Sequence, residues 1–326
     1  MNVTTTVPLA VRTRGLRRTY GERTAVHGLD LAVPEGETFG FLGPNGAGKS
    51  TTIAMLCTLL RPTAGTAEVA GADVRRTPWE VRRRIGVVFQ EPTVDRDLTA
   101  EENLRLHAEL YGVPRRELRS RSRYLLGLLG LDRVGTPVGA FSGGMRRRLE
   151  LARSLMHRPR VLFLDEPTVG LDPQSRAAIW EHLHGLREQQ PVTLFLTTHH
   201  MEEAERCDRI VVMDQGRVVA QGTPRQLKAE LGADVVHLRT ADDRGVAATL
   251  RAEAGLDVGC GPDGVRVSVA DGAALVPRLC AGLTTPVYSV TVTRPSLDDV
   301  FLHHTGRTIR DAGAAPASAE VSAVTS

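Results

Sequence analysis

The stretch Phe41-Leu-Gly-Pro-Asn-Gly-Ala-Gly-Lys-Ser-Thr-Thr52 decides the fold. An apolar run over 38–42 reads as a strand, a glycine-rich turn follows it, and 49–60 read as a helix. That order makes a phosphate loop, because converging backbone N–H groups and the positive end of a helix dipole both attract an anion. Gly43, Gly46 and Gly48 let the backbone curl. Lys49 supplies a compact charge for β- and γ-phosphates, and the Ser50 hydroxyl a ligand for Mg2+. Of 41 Lys and Arg residues only Lys49 and Lys228 are lysine, so lysine stands where a forked guanidinium would not fit.

A length of 326 residues suits one large domain and a smaller one. The net charge of +3 is small and the arginines are dispersed, which argues against a nucleic-acid partner. The runs Arg82-Arg-Arg84 and Arg146-Arg-Arg148 fall in helical patterns and read as solvated faces. No apolar run approaches the ~18 residues needed to cross a bilayer, and residues 1–10 lack the pattern of a secretion signal. A cytoplasmic location is the expectation. Cys57, Cys207, Cys260 and Cys280 have no metal-type spacing and are expected as reduced, buried thiols.

Short strands with turn signals are predicted over 8–42, and Tyr20 lies just ahead of the first turn. Its ring suits either adenine stacking or a place in the core. Strands are predicted over 66–69 and 84–90, the second ending in Gln90, whose amide can reach a metal or a water. Residues 97–140 are helix-rich, with a capping box at Thr99-Ala-Glu-Glu102. Phe141-Ser-Gly-Gly-Met145 leads into a helix over 146–157, so Ser142, Gly143 and Gly144 form a second anion-binding helix start. In Val161-Leu-Phe-Leu-Asp-Glu-Pro-Thr168 an apolar strand ends in two acids, Asp165 to hold Mg2+ and Glu166 to orient or deprotonate a water. Gly170-Leu-Asp172 turns into a helix over 173–189. Leu194-Phe-Leu-Thr-Thr-His-His200 delivers His199 to a γ-phosphate, with His200 as its positional rival. From about 224 onward the pattern is β-α-β-β-α-β, a ferredoxin-like arrangement, followed by a short capped helix and an Ala/Ser/Gly-rich tail.

Phosphate loop, Gln90, Ser142-Gly-Gly144, Asp165-Glu166, Asp172 and His199 stand in the order that resembles the ATP-binding cassette (ABC) family. Within it, Phe141-Ser-Gly-Gly-Met-Arg-Arg-Arg-Leu-Glu-Leu-Ala152, Leu196-Thr-Thr-His199 and Pro295-Ser-Leu-Asp-Asp-Val-Phe-Leu302 look like the daunorubicin/doxorubicin-resistance type of ATPase subunit. The resemblance implies an α/β P-loop NTPase fold. An ABC nucleotide-binding domain at 8–223, with an antiparallel β subdomain and a helical subdomain at about 91–157, precedes an α+β accessory domain at 224–307 and a disordered tail at 308–326.

Carried onto matching positions, the resemblance implies ATP and Mg2+ as cofactors. Tyr20 stacks on adenine, and Gly43, Pro44, Asn45, Gly46, Ala47, Gly48, Lys49, Ser50 and Thr51 cradle the nucleotide. Ser50, Gln90 and Asp165 serve the metal, Glu166 is the general base, and His199 is the switch histidine. Ser142, Gly143 and Gly144 contact the nucleotide of a second copy, and Asp172 communicates across that dimer. Met145 stands where glutamine is commoner, and His200 where tyrosine is usual. The implied assembly is a homodimer on the cytoplasmic face of the membrane, coupled to a separate ABC-2 type permease that exports a drug or antibiotic. Export of lipid or polysaccharide, import, and a soluble role on ribosomes or DNA are the competing readings.

Overall fold

The computed structural model describes residues 7–131, 135–232, 234–254, 256–261 and 264–306. The predicted tail at 308–326 lies outside the described residues. Two compact units divide the chain between Gln221 and Gly222.

In the first unit, β1 (Leu9–Tyr20) and β2 (Arg23–Pro34) form an antiparallel ribbon. Each strand has 12 residues, where short strands were predicted. Register shifts such as the one between Thr13 and Leu16 bend the ribbon without ending it. β3 (Thr38–Leu42) is buried throughout and feeds α1 (Lys49–Leu56). This helix stops short of the predicted residue 60. Thr58 adopts φ 62, its N–H reaches Met55 O at 3.2 Å, and Leu59 N–H reaches Ala54 O at 2.9 Å, which closes the last turn. β4 (Ala64–Val69) and β5 (Ala72–Asp73) complete a sheet of order β2-β1-β4-β5.

α2 (Pro78–Arg84) leads into β6 (Ile85–Val88). The helical block follows as α3 (Ala100–Leu110), α4 (Arg115–Leu128) and α5 (Gly143–Ser154). Thr99 and Glu102 cap α3 reciprocally, at 3.2 and 2.8 Å. α5 begins earlier than the predicted residue 146 because the Ser142 hydroxyl accepts the Met145 N–H at 3.2 Å. Next come β7 (Val161–Asp165), α6 (Pro173–Gln189), β8 (Thr193–Thr198), α7 (Met201–Ala204), β9 (Arg209–Asp214) and β10 (Arg217–Gly222).

The second sheet has the order β10-β9-β3-β8-β7-β6, in which the pairs β9/β3, β3/β8, β8/β7 and β7/β6 are parallel. Phe195 of β8 is opposite Phe39 of β3 and Phe163 of β7. Its ring centroid lies 5.2 Å from those of Phe39, Phe41 and Phe163. The core continues through Ile53 and Met55 of α1 to Val11, Leu16 and Val69 of the antiparallel sheet. Apolar contact therefore holds α1 between two sheets.

The second unit, taken by itself, consists of α8 (Pro224–Glu230), β11 (Asp234–Thr240), α9 (Asp243–Ala254), β12 (Asp257–Gly261), β13 (Gly264–Val269), α10 (Gly272–Gly282), β14 (Val287–Thr293) and α11 (Leu297–Thr305). Its antiparallel sheet has the order β12-β13-β11-β14 over a core that includes Val236, Leu238, Leu250, Val265 and Leu279. Among the cysteines, Cys57 and Cys207 are buried as expected. Cys260, near the end of the edge strand β12, and Cys280 on α10 are exposed, which corrects that expectation.

Two predictions follow from this packing. Phe195→Ala should destabilise the first unit by about 3–5 kcal/mol, read from its denaturant midpoint, and a loss under about 1 kcal/mol would contradict the role given to the rings. The second concerns acid. His107 and His157 lie against Tyr111, with ring centroids 4.6 and 3.9 Å away. Burial first, then the charges of His157 and Arg153, push the His107 pKa down to about 3, and burial also lowers that of His157. The unfolded chain binds these protons near pH ~6.5, so stability is lost as pH falls below that value. His107→Phe should therefore flatten the fall in midpoint between about pH 7 and pH 5, and an unchanged slope would refute the assignment.

Candidate functional site

β3, β8 and β7 are adjacent and parallel, with Leu42 opposite Thr198 and Asp165 opposite Thr197. Neighbouring strands lie about 4.8 Å apart, so the segments leaving their C-terminal ends converge. Those segments are the phosphate loop, Glu166 and His199.

The loop fits its place only through glycine. Gly48 has φ +102, and a Cβ there would come within 2.6 Å of Ala25 O, while one on Gly43 would lie 2.4 Å from Met213 O. Lys49 Nζ donates to Gly43 O at 2.7 Å and Pro44 O at 3.1 Å, and lies 3.4 Å from Glu166 Oε1. Lys49 is only 4% exposed and Glu166 7%, so each charge compensates the other out of water. Burial lowers the Lys49 pKa, against the opposing pull of Glu166 and Asp165.

Asp165 Oδ1 accepts from Ser50 Oγ at 3.1 Å and from Thr197 Oγ1 at 2.5 Å. Thr197 Oγ1 in turn accepts the Glu166 N–H at 3.0 Å. Glu166 sits in the left-handed region at φ 48, rare for a residue with a side chain. His199 Nδ1 is 3.2 Å from Glu166 Oε1. Burial alone would raise the Glu166 pKa, but the His199 hydrogen bond and the Lys49 charge outweigh it and hold the carboxyl below its usual range. Glu166 is thus ionised at neutral pH. The Ser50 and Asp165 oxygens, with the Gln90 amide nearby in the cleft, form the hard-oxygen set that suits Mg2+.

Lys49, Ser50 and Glu166 border a cleft of about 640 Å³ whose lining also includes Tyr20, Arg23, Asn45, Thr51 and Gln90. Tyr20 is 46% exposed, which removes the core reading of this residue, and the Arg18 guanidinium lies 4.5 Å from its ring centroid. Gln90 falls two positions beyond β6, which ends at Val88, so it extends from a loop and not from the predicted strand end.

Ser142, Gly143, Gly144 and Asp172 do not line this cleft. Ser142 caps α5, and a Cβ on Gly144 would lie 2.7 Å from Ser175 Oγ, so the start of α5 packs closely on α6. Asp172 caps α6, accepting the Ser175 N–H at 2.8 Å and the Ser175 hydroxyl at 2.7 Å. His199 reaches Glu166, whereas the His200 N–H donates to Thr198 Oγ1 at 2.9 Å.

Two residues of the site carry signals that the motifs overshadowed. Thr197 is a polar residue in an apolar strand, a pattern that asks for a partner. Arg147 stands in the run expected to be solvated, yet it is buried. Only the middle arginine of Arg146-Arg-Arg148 turns fully inward on α5, because helical rotation separates successive side chains by about 100°.

The family model described as ABC transporter matches residues 26–169. The daunorubicin/doxorubicin resistance ATP-binding protein of Streptomyces peucetius is 43% identical over 320 residues, covering 95% of this chain and 97% of that protein. The Nod factor export ATP-binding protein I of Ralstonia nicotianae is 44% identical over 303 residues, covering 91% and 94%. A solved dimeric ATP-binding cassette in a post-hydrolysis state, bound to ADP and Pi, superposes with a TM-score of 0.60 at 28% identity, covering 65% of this chain and 98% of that one. A buried lysine on a glycine loop, an aspartate joined to the loop serine and an ionised glutamate beside a histidine are the parts of an ATPase. With these relatives spanning nearly its whole length, the chain belongs to the ATP-binding proteins of the ABC transporter family and hydrolyses ATP to drive transport.

Proposed function

We propose that this chain is the ATP-hydrolysing subunit of an exporter that moves a drug or antibiotic through a separate ABC-2 type permease. The observation that carries the catalytic part is the hydrogen-bonded cluster in which Lys49, Ser50, Asp165, Glu166, Thr197 and His199 meet. Glu166 is the general base or orienter of the attacking water, Lys49 holds the β- and γ-phosphates, and His199 donates to the γ-phosphate. Tyr20 stacks on adenine, and residues 43–51 wrap the phosphates. Ser50, Asp165 and Gln90 would hold Mg2+, which when bound neutralises charge on the phosphates.

One chain carries one phosphate loop and one Ser142-Gly-Gly144 loop, and the second loop lies outside the cleft lining. This supports a head-to-tail homodimer in which Ser142, Gly143 and Gly144 close on the partner's nucleotide and Asp172 stands near the seam. Residues 8–223 act as the nucleotide-binding domain, with 91–157 as its helical part. Residues 224–307 act as an accessory domain, whose strand order β12-β13-β11-β14 supports a ferredoxin-like form.

Among the described residues no helix is long and apolar enough to cross a membrane, so transport needs a membrane partner. A groove of about 230 Å³ lined in part by Leu59, Phe89, His107 and Tyr111 adjoins the Gln90 loop and supports contact with that partner there. Attachment on the cytoplasmic face follows from that contact. The resistance relative supports a drug or antibiotic as cargo. The Nod factor export relative supports export of a cargo other than a drug, and a lipid or polysaccharide is the second reading.

Glu166→Gln should lower kcat by about 10²- to 10⁴-fold while ATP still binds, and near-normal turnover would remove the base. With ATP and Mg2+ that variant should run as a dimer by light scattering, whereas a monomer at saturating nucleotide would sink the shared-site reading. Cells lacking this chain and its permease should become more sensitive to the exported drug. Unchanged sensitivity, with a surface lipid or polysaccharide missing, would favour the second cargo.

A further inference from the structure

α5 carries a side-chain cluster that the roles above leave unused. Arg147 is 3% exposed, and the five N–H donors of its guanidinium meet five acceptors. Nε donates to Pro167 O at 2.7 Å, and Nη2 donates to Gln90 O at 3.1 Å and Glu166 O at 3.2 Å. Nη1 donates to Phe89 O and, at 3.1 Å, to Glu150 Oε2. Glu150 is 1% exposed, and its Oε1 accepts the Thr93 N–H at 2.5 Å and the Thr93 hydroxyl at 3.2 Å. Arg153 adds a bond to Thr93 O at 2.7 Å. One helix thus grips residues 89–93 on one side and 166–167 on the other.

A structural ion pair would need Glu150 alone, and buried pairs of that kind are weak devices for stability. Four of the Arg147 acceptors are instead main-chain carbonyls, from the Gln90 loop and from the turn that holds Glu166. Glu166 is left-handed at φ 48, with its N–H held by Thr197 and its carbonyl by Arg147. Pinning the peptide groups on both sides aims the carboxylate at Lys49 and His199.

We propose that Arg147 is a positioning residue for ATP hydrolysis, holding Glu166 and the Gln90 loop in one register with the helix that starts at Ser142. The inference rests on the reading of Glu166 as the base. A planar fork joined to both loops cannot follow one of them without straining its bonds to the other, so displacement of either is felt at the second.

Lysine keeps the charge but offers three donors on a single nitrogen, which cannot serve four carbonyls spread around a planar fork. Arg147→Lys in the purified full chain should lower kcat at least about tenfold while KM for ATP stays within about threefold. Added to Glu166→Gln, it should reduce the residual turnover by less than about twofold, because it acts through the missing carboxylate. Glu150→Gln weakens the same clamp and should show the same split more mildly, which keeps the idea testable where Arg147→Lys does not fold. Wild-type kcat in either folded variant, a loss explained by KM, or a full additive loss on Glu166→Gln would overturn the proposal. Normal turnover by Glu166→Gln alone would instead overturn the base assignment beneath it.

Discussion

Phe195 is packed between Phe39 and Phe163 across two parallel strand pairs, and that packing decides which residues end β3, β8 and β7 side by side. A slip of one residue would turn every side chain of a strand to its other face, and a slip of two would move a strand end by about 6.6 Å. Either would part Asp165 from Ser50 and Thr197, bonds of 3.1 and 2.5 Å. The geometry of the nucleotide site is therefore set by apolar contacts that never touch nucleotide. The same rings back α1, so the helix that follows the glycine loop is held by the core that fixes the acids.

On this frame the charges are arranged to hold one another ionised. Lys49 and Glu166 are both largely removed from water, which would neutralise either of them alone. Lys49 is bonded to two loop carbonyls and paired with Glu166, while Asp165 takes two hydroxyl donors. Glu166 is the one non-glycine residue of the cluster in the left-handed region, and Thr197 and Arg147 hold the peptides that flank it. Backbone in such a region persists where its surroundings over-determine it, and here the surroundings are the strand end, the Thr197 hydroxyl and a helix from elsewhere in the chain.

The readable parts of this protein were those whose logic is local. The phosphate loop, the capping box at Thr99, and the apolar strands that end in Asp165 and just before His199 are each specified within about ten residues, where turn chemistry and hydrophobic period act directly. Errors appeared where distant groups decide. The ribbon of β1 and β2 runs on through its irregularities because partners on both strands continue to pair. Cys260 is exposed because β12 is an edge strand and only its Val258 reaches the core, and on α10 the core takes Leu279 and leaves Cys280 outside. Arg147 was hidden inside a basic run, since nothing in neighbouring residues tells which arginine will meet five acceptors contributed by residues 89–90, 150 and 166–167.

By itself the sequence determined the chemistry on offer: a loop for phosphate, a lysine, two acids and a histidine at strand ends, and a second glycine loop. Short-range sterics and hydrogen bonding dictate those features, and they need no knowledge of the rest of the chain. Only the tertiary structure decided their company. It brought Asp165 to Ser50, set Glu166 between Lys49 and His199, left the Ser142 loop outside the cleft, and buried Arg147 between two loops. Such pairings are made by strands and helices far apart in the chain, and only the closing of a common core brings them within hydrogen-bond distance.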